Sequence, residues 1–412
     1  MLQFKTDPVL SAPPVAEAVT SKRIASIDIL RAITMVLMIF VNDLWSLEGI
    51  PVWLEHVSRD VDGMGLADVI FPAFLFIVGM SIPFAIQSRR KKGDNNWGIV
   101  KHILIRSAAL VVMGVFLVNG ENINEAATGM RRVVWNSLCC ISFILIWNSY
   151  PKTTKSWFTY TARILGIMGL ITLAFLYRGG DAEDINRFST YWWGILGLIG
   201  WAYLACSLIT TFSGNKLYIP VIAWIVFCTL SMLSSAGYIA GGSLFATIPS
   251  PISRGTLAGL TMGGVITSML FQYYNKQNAQ QRMMIVLIVL AGILIILGFY
   301  TRTFWGISKL RATPAWLFLC SAITMLAFVG IYWLADLRKK AEWFNFLRPA
   351  GYNTLLCYLI PYFAYAFMRL SGIHLPEFML IGGIGLIKSF LFALLCVGIT
   401  GGLTRWGIQL KL

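Results

Sequence analysis

Twelve apolar stretches, each long enough to cross the ~30 Å core of a bilayer as a helix, dominate this 412-residue chain and leave few folds open to it. They fall at about 27–45, 67–87, 103–119, 133–148, 159–177, 191–212, 217–236, 254–274, 283–300, 314–335, 353–370 and 379–403. Backbone in hydrocarbon must satisfy its own polar groups, so runs of this length form helices. The expected fold is an all-α polytopic integral membrane protein, a bundle of about twelve transmembrane helices. Composition agrees: 12% of residues are charged, against roughly a quarter in soluble domains.

Residues 1–24 read as a polar cytoplasmic tail and 25–412 as one transmembrane domain. Residues 1–22 hold no apolar core of the signal-peptide kind, so the first span is expected to insert and remain. No internal repeat is visible. An even number of spans puts both termini on one side. Lys and Arg fall about twice as often on that side as on the other, which makes it the cytoplasmic one. The net charge of +15 therefore reports loop topology, not nucleic-acid binding. Seven cysteines lie mostly within apolar runs, Cys139-Cys140 among them, with no CxxC pair and no Cys/His metal spacing. They read as small core hydrophobes, and no metal is expected.

The chemistry-bearing residues are few. In the first span Asp28, Arg31, Met35, Met38 and Asn42 recur at three- or four-residue steps and so share one helix face. A charge inside a span faces a partner or a wet cavity. This face is therefore either an Asp28–Arg31 pair at the interface or the lining of a cavity leading to Asn42. His56, one of three histidines, lies in the outer loop PVWLEHVSRDVDG, and Asp68 opens the second span. An imidazole, an amide and a carboxylate at one membrane face suit proton-transfer chemistry; a solvated loop histidine and a first-turn helix acid are the plainer alternatives. His102 and His374 read as solvated. The run Arg89-Arg90-Lys91-Lys92, with Lys101 and Arg106, is either a membrane anchor or a phosphate site. Lys309 and Arg311 either meet an anionic substrate or flank the tenth span, and Asn353 is either a helix contact or cavity lining.

Several segments together resemble the heparan-α-glucosaminide N-acetyltransferase family of transmembrane acyltransferases, especially its bacterial members. RIASIDILRAITMVLMIFVN looks like the family's opening helix, R-x-x-S-x-D-x-x-R-G ending in V-N, with Ala32 standing where the pattern has glycine. EHVSRDVDGMGLADVIFPAFLFIVGMSI is similar to its H-A-x-W-x-G-x-x-x-A-D-L-V-F-P segment, matching His56, Asp68, Phe71 and Pro72. ATIPSPISRGTLAG resembles a later glycine-bearing span, and ISKLRATPAW resembles the I-N-K-x-L-W loop with Lys309 on the lysine. Gly351 and Asn353 match G-x-N-x-L-x-x-Y.

The resemblance implies transfer of acetyl from cytoplasmic acetyl-CoA to the amine of a glucosamine-ended, heparan-type saccharide on the far side of the membrane. It implies His56 and Asn42 as the catalytic pair, with Asp68 holding the imidazole. Arg31, Arg106 and the run Arg89, Arg90, Lys91 and Lys92 are the expected coenzyme A contacts, and Lys309 and Asn353 the expected acceptor contacts. The expected location is a bacterial inner (cytoplasmic) membrane. Two readings compete: an amino-sugar transporter, disfavoured by the absence of repeated halves, and an O-acyltransferase acting on envelope glycans. A homodimer is compatible with the sequence.

Overall fold

In a computed structural model, residues 24–151, 153–181, 183–214, 216–239 and 248–412 are described. The expected N-terminal tail, save Ile24, and Ala246-Thr247 of the motif above lie outside them. Among the described residues the long helices are α1 (Ala25–Asp43), α2 (Leu66–Lys91), α3 (Asn96–Glu121), α4 (Arg132–Trp147), α5 (Ser156–Leu176) and α6 (Ile195–Ser213). They continue as α7 (Tyr218–Ser235), α8 (Thr256–Lys276), α9 (Gln280–Trp305), α10 (Pro314–Tyr332), α11 (Thr354–Ser371) and α12 (Gly382–Arg405). Each expected span has its helix. The only sheet among them is a two-residue pairing, Gly179–Gly180 with Ile185–Asn186.

Ten of these helices are long and apolar enough to cross a membrane by themselves. The two exceptions have separate causes. α4 has 16 residues, about 24 Å at 1.5 Å per residue, short of the bilayer core. α8 has 21 residues but buries Thr256, Thr261, Thr267 and Ser268 among its glycines, which lowers its hydropathy.

Contacts between chain-distant ends show that α1 and α12 run in opposite directions. Where α1 begins, Arg31 donates to the Gly351 carbonyl and Asp336 accepts from the Ser26 amide. Where α1 ends, Glu48 and Gly382 share a backbone bond, and Asp43 meets Lys388 of α12. Residues 24 and 412 therefore lie on one face, here called the basic face; the other is the histidine face. α1, α2, α3 and α10 are mostly buried, whereas α5, α7, α9 and α12 bury only a minority of their residues. The exposed positions of the outer helices include Ile164, Ile171, Ile288, Ile296 and Phe299, an apolar girdle suited to lipid. All seven cysteines are buried and unpaired, as expected of core hydrophobes.

One contact sets the frame. A Cβ at Gly79 would collide with the Thr261 carbonyl, and one at Gly264 with the Phe76 carbonyl. α2 and α8 thus touch backbone to backbone, the close approach that small residues permit between membrane helices.

Candidate active site

The loop after α1 returns to the membrane at Gly65, which caps α2. A Cβ there would strike the Glu55 carbonyl, so only glycine lets residues 55–57 fold over the start of α2. That fold brings His56 onto Asp68. The Asp68 Oδ1 lies 2.7 Å from His56 Nδ1, while Oδ2 accepts the amides of Val57 at 3.0 Å and Gly65 at 3.1 Å. The two sequence readings of Asp68 hold together: one oxygen caps the helix and loop, the other orients the imidazole. Trp316 of α10 fixes the same turn by donating its indole N–H to the Asp68 carbonyl at 2.9 Å. Asp68 is 2% exposed and His56 49%, so the ring is anchored at Nδ1 and presents its other side outward.

A second loop, Gly306 to Thr313 between α9 and α10, brings Lys309 to this pair. Its Nζ stands 3.3 Å from His56 Nδ1 and 3.9 Å from Asp68 Oδ1. The loop is held by Asp62, which accepts from the Ile307 amide at 2.7 Å and pairs with Arg302 Nε at 2.9 Å. Gly63 in turn donates to the Ile307 carbonyl. These donors hold the Asp62 carboxyl below the usual carboxylate range, the Ile307 amide contributing most. Burial pulls the Lys309 ammonium below the ordinary lysine range, opposed by the Asp68 charge.

Two cavities run along the polar stripe of α1. One, of about 490 Å³, is lined by Arg31, Met35, Met38, Arg106 and Tyr203 and reaches the basic face at exposed Tyr352 and Lys411. The other, of about 980 Å³, is lined by Asn42, Asp43, Tyr365 and Lys388 and reaches the histidine face at exposed Arg132 and His374. Tyr358 borders both. Arg31 is also paired with Asp28 at 3.0 Å and bonded to Ser81 at 2.6 Å. It is at once an ion-pair partner and a cavity wall. Arg106 lies over the Tyr203 ring, 4.7 Å from its centroid, with a buried Nε that has no hydrogen-bond partner.

The structure therefore unites His56, Asp68 and Lys309, and separately unites Arg31 with Arg106. Asn42 is exposed at the end of α1 and lines the larger cavity, with no hydrogen bond to His56. The basic run stands apart from the smaller cavity: Arg89 pairs with Asp94 at 2.7 Å, Arg90 donates to the Thr211 carbonyl at 2.6 Å, and Lys91 and Lys92 are exposed. Asn353, expected as an acceptor contact, is placed away from the histidine site. It lies on the basic face, beside Gly351, across the membrane from His56 and Lys309. Its amide nitrogen donates to Thr404 at 2.9 Å and to the Ile408 carbonyl, and its oxygen accepts from the Leu410 amide. All of this holds the C-terminal segment in place.

The sequence reading passed over Asp43. Its Oδ2 meets Lys388 Nζ at 2.7 Å and Ser389 Oγ at 2.6 Å, and its Oδ1 accepts from Tyr365 at 2.7 Å. The available signal was Lys388, a lysine inside an apolar span, which requires a partner.

Fold and site define a multi-pass helical membrane protein with a histidine–carboxylate pair at one face and an arginine-lined cavity at the other. The chain belongs to the family described as a domain of unknown function, DUF5009, whose profile matches residues 23–247, just over half of it. It is also similar to two curated proteins called heparan-alpha-glucosaminide N-acetyltransferase. It is 35% identical to that of Homo sapiens over 98 residues and 34% identical to that of Mus musculus over 101. Each match takes in 24% of this chain and only 14% of the relative's length.

Proposed function

We propose that this chain is a transmembrane N-acetyltransferase. It takes acetyl from acetyl-CoA at the basic, cytoplasmic face and passes it to the amine of a glucosamine or glucosamine-ended saccharide at the opposite face of a bacterial inner membrane. The similarity to the two acetyltransferases supports the reaction class. The observation that carries the reading is the α1 stripe: one helix face lines both cavities, from an arginine-bearing space at one side to Asn42 at the other.

Coenzyme A, as substrate, fits the smaller cavity in charge. Arg106 offers a buried Nε without a partner, and Arg31 and Lys411 line the same space. Such groups suit phosphate. Arg89, Arg90, Lys91 and Lys92 lie outside it and add long-range attraction for a polyanion at this face.

In the transfer, the donor's C–S bond breaks and a C–N bond forms. The amine proton passes to His56 Nε2 and from there to the departing thiolate. Asp68, holding Nδ1, fixes the tautomer with Nε2 unprotonated. The Asn42 amide donates to the thioester oxygen as charge builds there. Asn42 and His56 share a face without touching, and catalytic hydrogen bonds commonly tighten only around bound substrate.

The test is sidedness. In proteoliposomes of one known orientation, glucosamine at the histidine face is acetylated only with acetyl-CoA at the basic face, and mass spectrometry finds the acetyl on nitrogen. Transfer with both substrates confined to one side refutes the transmembrane route. An ester product establishes O-acylation, and sugar uptake without acetylation establishes a transporter.

A further inference from the structure

Lys309 stands too close to His56 and Asp68 to be a bystander, and the transfer step gives it no task. Asp68 is 2% exposed, so its carboxylate requires a compensating cation close by. Two groups are within reach: the imidazole, if protonated, and the Lys309 ammonium at 3.9 Å. His56 Nδ1 cannot donate to Asp68 and accept from Lys309 at once. The carboxylate is the nearer, at 2.7 Å against 3.3 Å, and only accepts, so the ring N–H goes to Asp68 and the ammonium stands beside it.

We infer that Lys309 is a positioning residue that balances Asp68 and thereby keeps His56 an uncharged imidazole able to take a proton at Nε2. The inference rests on the reading of His56 as the base. Protonating the ring would set two cations around one carboxylate, which the lysine opposes. Without the lysine, Asp68 is balanced only by imidazolium, and the proton moves onto the ring.

Lys309 is built into this place. Ala312 donates to its carbonyl at 3.0 Å and turns the chain back with φ +53°, and Asp62 fixes Ile307 two residues earlier. Its side chain is 23% exposed, unlike a free surface lysine. The other charges on the two loops are Glu55, Arg59 and Asp60 beside His56 in the chain, the Asp62–Arg302 pair, and Arg311 on the facing loop. All of them persist when Lys309 is replaced, so they cancel in the comparison.

The experiment follows carbethoxylation of His56 by diethyl pyrocarbonate against pH, read by mass spectrometry on the peptide that holds it, in full-length protein in nanodiscs. In Lys309→Met the midpoint of modification rises by about one pH unit, and Lys309→Arg restores it. The acidic limb of the kcat/KM profile rises by the same interval, activity recovers at high pH, and acceptor KM is unchanged. An unmoved midpoint overturns the inference. So does a raised acceptor KM with an unshifted profile, which would make Lys309 a substrate contact. Should Lys309→Met fold poorly, Lys309→Gln gives the same comparison. Modification is read without turnover, so an inactive or misassigned base leaves this test intact.

Discussion

Asp43 and Lys388 meet at 2.7 Å across 345 residues of chain, in the wall of the cavity that also holds Asn42. Asp43 is buried, at 4% side-chain exposure, and Lys388 largely covered, at 17%. Lys388→Met leaves the carboxylate unbalanced and lowers stability by about 3–5 kcal/mol, the usual effect of orphaning a buried charge. Asp43→Asn combined with Lys388→Met recovers most of that loss. Thermal unfolding in one detergent checks both; equal destabilisation of the single and double variants would refute the pairing.

Replacing His56 by Ala removes most transfer while leaving the fold intact, because the ring is half exposed and packs little. A positioned acid–base group contributes about 10²–10⁴-fold. Turnover at matched melting temperature measures this, and activity within a few-fold of the parent returns His56 to the role of a solvated loop residue.

Arg106→Gln raises KM for acetyl-CoA several-fold with kcat little changed, the pattern of lost uniform binding. Replacing Arg89, Arg90, Lys91 and Lys92 together by Gln has a smaller effect, since none lines the cavity. A larger effect from the fourfold change would move the donor site outward to the basic run.

The α2–α8 contact predicts a steep contrast between glycines. Gly264→Ala drives a methyl into the Phe76 carbonyl and destabilises by about 1–3 kcal/mol. Gly292→Ala on α9 meets open space and is neutral or slightly stabilising, because alanine is the better helix former. Melting temperatures of the two variants decide the matter.

Asp62 gives the loop platform a pH dependence. Its folded pKa lies below the ordinary value of 3.8, so its contribution is complete above that value and is lost as pH falls through the lower folded value. Asp62→Asn therefore weakens the parent near neutrality, and the gap between them closes under acid. Hydrogen exchange at the Ile307 amide follows this directly; a gap that widened with acid would exclude the linkage.

The sequence made the helices legible because membrane spans must be long and apolar. It made His56 with Asp68 legible because they lie twelve residues apart around one glycine-rich turn. Lys309 was singled out, but its role was hidden, since its partners lie some 250 residues away. Asp43 and Lys388 escaped for the same reason. Asn353 was legible as a polar residue at the start of a span, but its partners Thr404, Ile408 and Leu410 lie more than fifty residues further along the chain. The basic run was legible as charge density, which does not reveal that Arg89 and Arg90 are engaged by Asp94 and Thr211.

Tyr358 borders both cavities, and its consequence is electrical. Each space is lined by charged groups and reaches its own face, and Tyr358 stands in the wall of both. Arg31 lies in the wall of one space and the Asp43–Lys388 pair in the wall of the other, so a short partition there would concentrate a membrane potential. At about 2.3 kcal/mol per elementary charge per 100 mV, any charged group carried past Tyr358 feels nearly the whole drop in a few ångströms. On the proposed transfer route, an acyl group passing from one space to the other would pass Tyr358, the residue at which a leak would have to be prevented.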